Sequence, residues 1–310
     1  MKPKVSIIIP NYNHKPYLQQ RLDSVFHQTY QDFEVILLDD ASTDGSQDLL
    51  KPYQNHPKVS QLIINKTNSG SPFKQWQKGI ALAKGKYIWI AESDDYCELD
   101  LLETCLEDFS RNPQLGLVYT QSLDVDEKGK RLRHREVYTN TFKPNIWQAN
   151  FTKSGREFIN DYLLVKNVIP NASAVVFKKE LVTKQTFTNS LLQMRMCGDW
   201  FFWLQLVQDT NMAFINKPLN YFRHHSQVSR NHKTPTIKKQ RLLEEATIRD
   251  FALDTFGLFH KSATKTMYLK WFALHTKYDI FKPYFYQVRL KNKSYGALIS
   301  DFFTIKLKNL

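Results

Sequence analysis

Short, mostly apolar runs alternate with helical patterns through the first 120 residues, and this alternation constrains the fold more than any other feature. VSIIIP (5–10) and FEVILL (33–38) are rich in β-branched residues, as is typical of strands buried on both faces of a sheet. Similar runs predict further strands at 59–65, 86–91 and 115–120.

Helical patterns separate these runs. In the first of them, apolar residues recur at i, i+4, i+7 and i+8, which places them on one helix face: Leu18, Leu22, Val25 and Phe26. Further helices are predicted near 46–54, over 71–85 with Gly85 at the end, and over 101–109. The regular alternation predicts an α/β protein with a mostly parallel, Rossmann-like sheet flanked by helices.

Polar clusters directly follow three of the predicted strands. They are Asn11–Asn13, Asp39–Asp44 and Glu92–Asp95. Ligands of such sheets bind beyond the carboxyl ends of the strands. We therefore expect the three clusters to converge on one rim of the sheet.

The rest of the chain has a less regular pattern. ASAVVF (172–177) predicts a strand, GDWFFWLQLVQ (198–208) a buried helix and AFINKPLNYF (213–222) an extended segment. From about residue 236 the sequence is helical in pattern, basic and aromatic. We expect one large domain over 1–230 and a helical extension over 231–310.

The net charge of +13 is unevenly distributed. Residues 230–310 contain 16 lysines and arginines against 6 acidic residues, so this last quarter carries most of the positive charge. Such a surplus indicates an anionic partner, namely a phospholipid surface, a nucleic acid or a phosphorylated substrate. The alternative is a helical cap whose lysines and arginines are solvated.

Missing motifs argue against several classes of protein. The sequence has no GxGxxG, GxxxxGK[ST] or GxSxG segment, so a dinucleotide dehydrogenase, a P-loop NTPase and an α/β-hydrolase are not favoured. The three cysteines form no CxxC pair, which argues against a disulfide framework or a cysteine zinc site. Without a signal peptide pattern or an apolar stretch of about 20 residues, we expect a cytoplasmic protein that is at most peripheral on the cytoplasmic face of a membrane.

The acidic turn Glu92-Ser93-Asp94-Asp95 is the strongest candidate for chemistry. Neighbouring carboxylates repel each other unless a cation lies between them. Their oxygens favour Mg²⁺ or Mn²⁺, which commonly bind one or two carboxylates together with substrate phosphates. Taken alone, the turn fits an exposed acidic cap of the following helix better than it fits a metal site.

Other candidate residues also have ordinary alternatives. Asp39 and Asp40 suit a turn cap, and Asn11–Asn13 suit an Asx turn. Asp199 is a favourable residue type for a helix N-cap. His225 suits a solvated basic surface.

The conjunction of these segments is more informative than any one of them. In chain order the sequence contains SIIIPNYN, VILLDDASTDGS, NSGSPFKQWQKGIALAKGKYIWIAESDDY, CGDWFFWLQL and YFRHHSQVS. This order strongly resembles the family 2 glycosyltransferases with the GT-A fold, over about residues 4–230. The resemblance implies a nucleotide-binding half at about 1–120 and an acceptor-binding half at about 121–230.

The resemblance also implies a nucleotide-sugar site at the rim. Seven residues match nucleotide-binding positions of the family: Pro10, Tyr12, Asn13, Asp39, Asp40, Lys78 and Gly79. Among them, Asp40 matches the position that binds the base. Lys78 and Gly79 fall in the helix that borders the nucleotide.

A metal site follows from the same resemblance. Glu92-x-Asp94-Asp95 occupies the family's DxD position, where Asp94 and Asp95 would hold Mn²⁺ or Mg²⁺ on the diphosphate. His225 matches a basic position that closes over the diphosphate or the metal. Glu92 stands where the family usually has Asp, so we expect it to contact the ribose, and Ser93 joins the nucleotide-sugar positions.

Asp199 matches the catalytic base of the family, whose mechanism is inverting. The implied function is transfer of a sugar from a nucleotide-diphosphate sugar, expected to be a UDP-sugar, to a hydroxyl of a glycan or lipid-linked saccharide. The family's usual setting is cell-surface polysaccharide or lipopolysaccharide synthesis. The stretches 121–170 and 167–174 are expected to shape the donor and acceptor pockets.

Two alternatives remain beside this function. A non-catalytic subunit that binds a sugar nucleotide would have the same fold. A nucleic-acid-binding protein is less favoured, because the acidic rim would repel phosphates. The basic extension instead suits peripheral docking at an anionic membrane that carries lipid-linked acceptors.

Overall fold

The computed structural model describes residues 2–225 and 234–308, in which one ten-stranded sheet is flanked by helices. The strands are β1 (Val5–Asn11), β2 (Phe33–Asp39), β3 (Val59–Ile64), β4 (Tyr87–Ile90), β5 (Tyr96–Cys97), β6 (Leu115–Val125), β7 (Arg131–His134), β8 (Phe151–Ser154), β9 (Val175–Lys178) and β10 (Asn211–Arg223). The helices are α1 (Lys15–Phe26), α2 (Ser46–Leu50), α3 (Pro72–Leu82), α4 (Leu101–Arg111), α5 (Gly155–Phe158), α6 (Asn189–Gln193), α7 (Gly198–Val207), α8 (Pro235–Phe256), α9 (Lys261–Ala273) and α10 (Tyr295–Lys308).

Six of these ten strands run in one direction, which confirms the predicted mostly parallel sheet. The main order across the sheet is β3-β2-β1-β4-β9-β6-β10-β5. β1 pairs in parallel with both β2 and β4, and β2 pairs in parallel with β3. β9 lies antiparallel between β4 and β6, and β6 pairs in parallel with β10. The chain order therefore reverses beside β1, at the kind of switch point where open α/β sheets bind ligands.

Two hydrophobic cores lie on opposite faces of the sheet. Successive side chains of a strand alternate between faces, so Ile8 joins one core while Ile7 and Ile9 join the other. The first core includes residues of α3 and α7, and the second includes residues of α1 and α4. β1 and β2 are buried along their whole length, as their apolar composition predicts.

Two glycines set how closely the first half packs on β1. A Cβ atom on Gly79 would lie 2.4 Å from Cγ2 of Ile8, so α3 packs against β1 without room for a side chain there. A Cβ atom on Gly85 would lie 2.5 Å from the backbone nitrogen of Ser6. The helix itself ends at Leu82, three residues before the predicted end at Gly85.

The C-terminal helices pack against the rest of the protein through α8. Its residues Ile248, Ala252 and Phe256 join the core that contains α3 and α7. Leu242 and Ala246 join a separate small core with α9 and α10. The predicted boundary between 230 and 231, and the end of the YFRHHSQVS motif, fall outside the described residues.

Two local predictions differ from the structure. The helix predicted near 46–54 divides into α2 and a 3₁₀ turn over Lys51–Asn55, because Pro52 has no N–H for the α-helical ladder. In the strand predicted at 172–177, Ala172–Ala174 form a 3₁₀ turn and pairing begins at Val175. Among the helices described here, none is both long enough and apolar enough to cross a bilayer.

Candidate active site

A cleft of about 550 Å³ opens beyond the carboxyl ends of β1, β2 and β4. It also borders the starts of α3 and α7 and the residues that follow β10. The predicted site residues that line it are Pro10, Tyr12, Asp40, Glu92, Asp94, Asp95, Asp199 and His225. The other predicted site residues lie outside this lining: Asn13, Asp39, Lys78, Gly79 and Ser93. The expected convergence of the three polar clusters on one rim is confirmed.

Asp39 and Asn13 join the loops that follow β1 and β2. Oδ2 of the fully buried Asp39 accepts from Nδ2 of Asn11 at 2.8 Å, and its Oδ1 accepts from the N–H of Ser42 at 2.9 Å. Oδ1 of Asn13 accepts from the N–H of Thr43 at 2.7 Å, and φ of Asn13 is 57°, a left-handed conformation that Asn tolerates. These contacts fix the two loops at the edge of the cleft.

Asp40 lies at the cleft wall, and protein donors surround its carboxylate. Oδ1 accepts from Nδ2 of Asn65 at 2.7 Å and from Nε2 of Gln75 at 2.8 Å. Oδ2 accepts from Oγ of Ser69 at 2.7 Å. Lys78 lies behind this wall, where its Nζ donates to Oδ1 of Asn65 at 2.7 Å. Lys78 therefore supports Asp40 through Asn65.

Glu92 carries the most strongly shifted carboxyl group of the acidic turn. Its Oε1 accepts from Nε1 of Trp76 at 2.7 Å, and its N–H donates to Oγ of Ser173 at 3.0 Å. Burial, reinforced by the charge of Asp94, raises the pKa of Glu92 to about 8. In the ion-free protein this carboxyl is protonated at neutral pH, so it can donate as well as accept a hydrogen bond.

Both oxygens of Asp95 are engaged by other parts of the chain. Oδ1 accepts from the backbone N–H of Arg223 at 2.9 Å, and Oδ2 accepts from Nδ2 of Asn171 at 2.9 Å. Burial and the neighbouring charge of Asp94 raise the pKa of the Asp95 carboxyl. Asp95 thus ties the acidic turn to the end of β10 and to the loop before β9.

Arg21 is a fully buried cation beneath the acidic turn. Its Nε donates to the carbonyl oxygen of Glu92 at 2.8 Å, and its guanidinium carbon lies 5.9 Å from the ring centroid of Trp89. Burial raises the pKa of both Glu92 and Asp95, and the charge of Arg21 opposes that rise. A buried guanidinium needs nearby negative charge, so Arg21 and the acidic turn stabilise each other.

Asp94, His225 and His14 form a group suited to holding a metal ion. Nε2 of His225 lies 3.1 Å from Oδ2 of Asp94, and one donor atom from each of the three residues lies within 4.8 Å of the others. Oγ of Ser93 lies 2.9 Å from Nδ1 of His14. Burial lowers the pKa of His14 despite the opposing charge of Asp94, which favours a neutral imidazole at pH 7. Imidazole and carboxylate are common ligands of divalent ions.

Asp199 lies in the first turn of α7 and faces the same cleft. Its Oδ2 accepts from Nδ2 of Asn167 at 2.8 Å, and its Oδ1 accepts from the N–H of Trp200 at 2.8 Å. Burial raises the pKa of Asp199 to about 6 despite these hydrogen bonds. Cys197 occupies the N-cap position, so the alternative that Asp199 is an N-cap is wrong. A desolvated carboxylate with this pKa suits general base catalysis.

The residues at the cleft or on its carboxylates that were not predicted individually include His14, Asn167, Asn171 and Arg195. Asn167 and Asn171 come from an irregular stretch before β9, where the sequence pattern indicates only that some pocket residues lie. Arg195 precedes α7 without a local motif. His14 has the one local signal, because it directly follows the polar cluster after β1.

Comparison with known proteins identifies the family of this chain. The model of the family described as glycosyl transferase family 2 matches residues 6–179. The chain belongs to glycosyl transferase family 2. The family predicted from the order of the motifs is therefore confirmed.

Individual relatives of this family 2 protein match parts of the chain. Chondroitin synthase of Pasteurella multocida is 40% identical over 128 residues, which is 41% of this chain and 13% of that protein. The chain thus spans only a small part of the length of that relative.

Two solved structures have the same fold as this family 2 chain. TarS of S. aureus in complex with UDP-GlcNAc has a TM-score of 0.60 and 16% identity, over 99% of this chain and 91% of that chain. The mannosyltransferase PcManGT of Pyrobaculum calidifontis, in complex with GDP-Man and Mn²⁺, has a TM-score of 0.54 and 14% identity, over 100% of this chain and 87% of that chain. These likenesses confirm the predicted GT-A fold.

Proposed function

We propose that this protein is an inverting, metal-dependent glycosyltransferase that moves a sugar from a UDP-sugar to a hydroxyl of a glycan or lipid-linked saccharide. The observation that carries the proposal is that one cleft contains both the metal-ligand group around Asp94 and the desolvated carboxylate of Asp199. Sugar transfer needs both functions, since negative charge develops on the leaving diphosphate while the acceptor hydroxyl loses a proton.

The nucleoside is proposed to bind at Pro10, Tyr12 and Asp40. Tyr12 exposes 46% of its surface at the cleft, so its ring is available to stack on a planar base. Asp40 would accept a hydrogen bond from an N–H of the base. That N–H would replace one of the donors that now bind the Asp40 carboxylate. Glu92 would contact the ribose, because its protonated carboxyl can both donate to and accept from hydroxyl groups.

Asp94 and His225 are proposed to hold Mn²⁺ or Mg²⁺ at the diphosphate, while Asp95, whose two oxygens accept from Arg223 and Asn171, is proposed to support the acidic turn beside the ion. The donor set fits a divalent ion, because carboxylate and imidazole groups converge at one point of the cleft. A divalent ion held by these residues would supply positive charge next to the departing nucleoside diphosphate. The exposed side chain of Arg195 at the cleft adds a further positive charge.

Asp199 is proposed to take the proton of the acceptor hydroxyl as that oxygen attacks the anomeric carbon. The bond from this carbon to the diphosphate oxygen breaks, and its electron pair leaves with the nucleoside diphosphate. The new glycosidic bond forms on the opposite face, so a single displacement inverts the anomeric centre. The 2.8 Å hydrogen bond from Asn167 orients the carboxylate of Asp199 for this proton transfer.

The comparisons favour a UDP-sugar and a polysaccharide setting. TarS is described in complex with UDP-GlcNAc, and the relative from Pasteurella multocida is named for the synthesis of chondroitin, a polysaccharide. The mannosyltransferase PcManGT is described with GDP-Man, so a guanine nucleotide is the main competitor. We propose cell-surface polysaccharide or lipopolysaccharide synthesis as the setting.

A transfer assay tests this function. The protein is incubated with a panel of UDP-sugars and oligosaccharide acceptors, with Mn²⁺, with Mg²⁺ or with EDTA, and released UDP is measured. We expect release that depends on both metal and acceptor, and an inverted anomeric configuration in the product by proton NMR. Binding of UDP without turnover on any acceptor would favour the non-catalytic sugar-nucleotide-binding subunit instead.

A peripheral contact with an anionic membrane is a second part of the proposal. Tyr278 and Phe281 expose 67% and 79% of their surfaces, and Lys277 and Lys282 flank them in the chain. Exposed aromatic rings beside cations suit the headgroup region of an anionic bilayer. This arrangement supports contact between the extension and the membrane that carries lipid-linked acceptors.

Vesicle co-sedimentation tests the membrane contact. Phosphatidylcholine vesicles with and without phosphatidylglycerol are compared for the wild type and for the double variant Tyr278→Ser/Phe281→Ser. Leu132→Ser is the matched control, since Leu132 is 56% exposed on β7, outside the extension. We expect loss of binding to anionic vesicles only in the double variant. Equal binding of all three proteins would remove the extension from the proposal.

A further inference from the structure

We propose that His14 is a third protein ligand of the metal ion, with Asp94 and His225, and that the site therefore prefers Mn²⁺ to Mg²⁺. The inference rests on the proposed function for the role of the ion, because the ion would act on the diphosphate of the donor. The His14 assignment adds a ligand that the DxD resemblance does not include. It also decides between Mn²⁺ and Mg²⁺, which the resemblance leaves open.

His14 lies next to the other two proposed ligands, Asp94 and His225. Donor atoms of His14, Asp94 and His225 lie within 4.8 Å of one another. The rings of the two histidines meet edge to face, with centroids 5.4 Å apart and planes at 81°. The three side chains come from the loop after β1, the acidic turn and the residues after β10. Three separate elements thus bring ligand atoms to one point of the cleft.

Helix capping does not account for this position. His14 is the N-cap residue of α1, where Ser, Thr, Asp or Asn is the favourable choice. Its side chain makes no capping hydrogen bond to the helix. Instead, Nδ1 of His14 lies 2.9 Å from the hydroxyl of the fully buried Ser93. Such a contact from a neighbouring residue is how metal-binding imidazoles are held in orientation.

The donor types in the ligand group explain why we expect the site to prefer Mn²⁺ to Mg²⁺. Mg²⁺ binds oxygen ligands almost exclusively, whereas imidazole suits first-row transition ions. The acidic turn offers fewer carboxylate oxygens to a metal ion than its sequence suggests, because both oxygens of Asp95 already accept hydrogen bonds from Arg223 and Asn171. Two imidazoles and one carboxylate form a donor set that favours Mn²⁺ over Mg²⁺.

Binding of Mn²⁺ to the full chain, followed by electron paramagnetic resonance without nucleotide, tests this assignment. The wild type is compared with His14→Gln and with His14→Asn, which keeps a favourable N-cap residue. His27→Gln is the matched control, because His27 is exposed at the other end of α1. We expect either His14 variant to weaken Mn²⁺ binding by about 10-fold or more, and the control to leave it unchanged.

Two further measurements on the same samples complete the test. Electron spin echo modulation should show two imidazole nitrogens on Mn²⁺ in the wild type and one in the His14 variants. The excess of Mg²⁺ needed to displace Mn²⁺ should fall in the same variants. Unchanged Mn²⁺ affinity and unchanged nitrogen couplings in folded His14 variants, checked by circular dichroism, would overturn the assignment.

The failure of this inference is distinguishable from failure of the proposed function. A wild type that binds UDP but shows no imidazole-bound Mn²⁺ refutes the His14 assignment and leaves the donor site standing. A wild type that holds Mn²⁺ through two imidazoles but binds no nucleotide confirms the ligand group and refutes the proposed function.

Discussion

Oε2 of Glu244, in the C-terminal helix α8, accepts a 2.8 Å hydrogen bond from the backbone N–H of Cys197, two residues before Asp199. The same oxygen accepts from the N–H of Met196 at 3.0 Å, and Oε1 accepts from the N–H of Arg195 at 3.2 Å. A buried carboxylate of the extension therefore holds the loop that leads into α7. The extension contributes to the geometry of the cleft as well as to the charge of the protein.

We expect Glu244→Gln to lower the free energy of unfolding by about 1.5–3 kcal/mol, because an amide replaces a charged acceptor of several backbone donors. The transfer rate should fall more than the affinity for UDP, because the loop leads into the first turn of α7, where Asp199 lies. Urea unfolding, turnover and calorimetry measure the three quantities. Asp254→Asn on the same helix is the control: it removes an exposed ion pair with Lys291, so it should cost less than about 1 kcal/mol and leave turnover and UDP affinity unchanged. Equal losses in both variants would contradict the role of Glu244.

The raised pKa of Asp199 sets the pH dependence of transfer. The base acts only when deprotonated, so the rate should rise with pH through about 6 and level off above it. Asp199→Asn should lower turnover by about 10²- to 10⁴-fold while UDP binding persists. Asp209→Asn, at an exposed site just beyond α7, should behave as the wild type. A rate already constant above about pH 4, the range of an ordinary Asp, would argue against Asp199 as the base.

The acidic turn should make the ion-free protein less stable as the pH rises. The pKa of Glu92 is about 8 in the folded protein, above its unfolded value. The folded state therefore binds more protons between about pH 4 and pH 8, and the free energy of unfolding falls across that window. Glu92→Gln should exceed the wild type in stability at pH 9 by more than about 1 kcal/mol, and the gain should be smaller at pH 6.

Urea unfolding in the presence of EDTA measures this difference. Glu180→Gln is the control, because its side chain is 72% exposed. A gain for Glu92→Gln that is the same at both pH values would show that Glu92 does not titrate in this window.

Gly79 is predicted to act through packing. Gly79→Ala should destabilise the protein by about 1–3 kcal/mol, because its new methyl group would lie 2.4 Å from Ile8. In a double-mutant cycle, Ile8→Ala should relieve part of this cost. Gly296→Ala, on α10 with open space around it, is the matched control and should be neutral or slightly stabilising. Full stability of Gly79→Ala would contradict the close contact between α3 and β1.

Local pattern is sufficient to predict much of the fold. The β-branched runs of β1 and β2 predict buried parallel strands, and GDWFFWLQLV predicts α7 because it is apolar on all faces. The position of β9 is not predictable in this way. This four-residue strand pairs with β4 and β6 across long separations in the chain, and nothing in its own residues specifies those partners.

The location of the site is predictable from the sequence, but the contacts of its individual residues are less so. Asp94 and Asp95 are adjacent in sequence, yet Asp94 meets His225 while Asp95 meets Asn171 and the backbone of Arg223. Adjacent residues of a turn can point in different directions, and only the structure shows which way each one points. The same limit applies along α3, where Gln75 and Trp76 line the cleft and Lys78 lies behind it.

The central claim is that the cleft is a metal-dependent donor site, and calorimetric titration with UDP, GDP and dTDP, each with and without Mn²⁺, tests it most directly. We predict that UDP binds more tightly with Mn²⁺, that Asp94→Ala abolishes the metal-dependent part and that Asp199→Asn retains it. If no nucleotide binds to the folded wild type under either condition, the cleft is not a donor site and the account is contradicted.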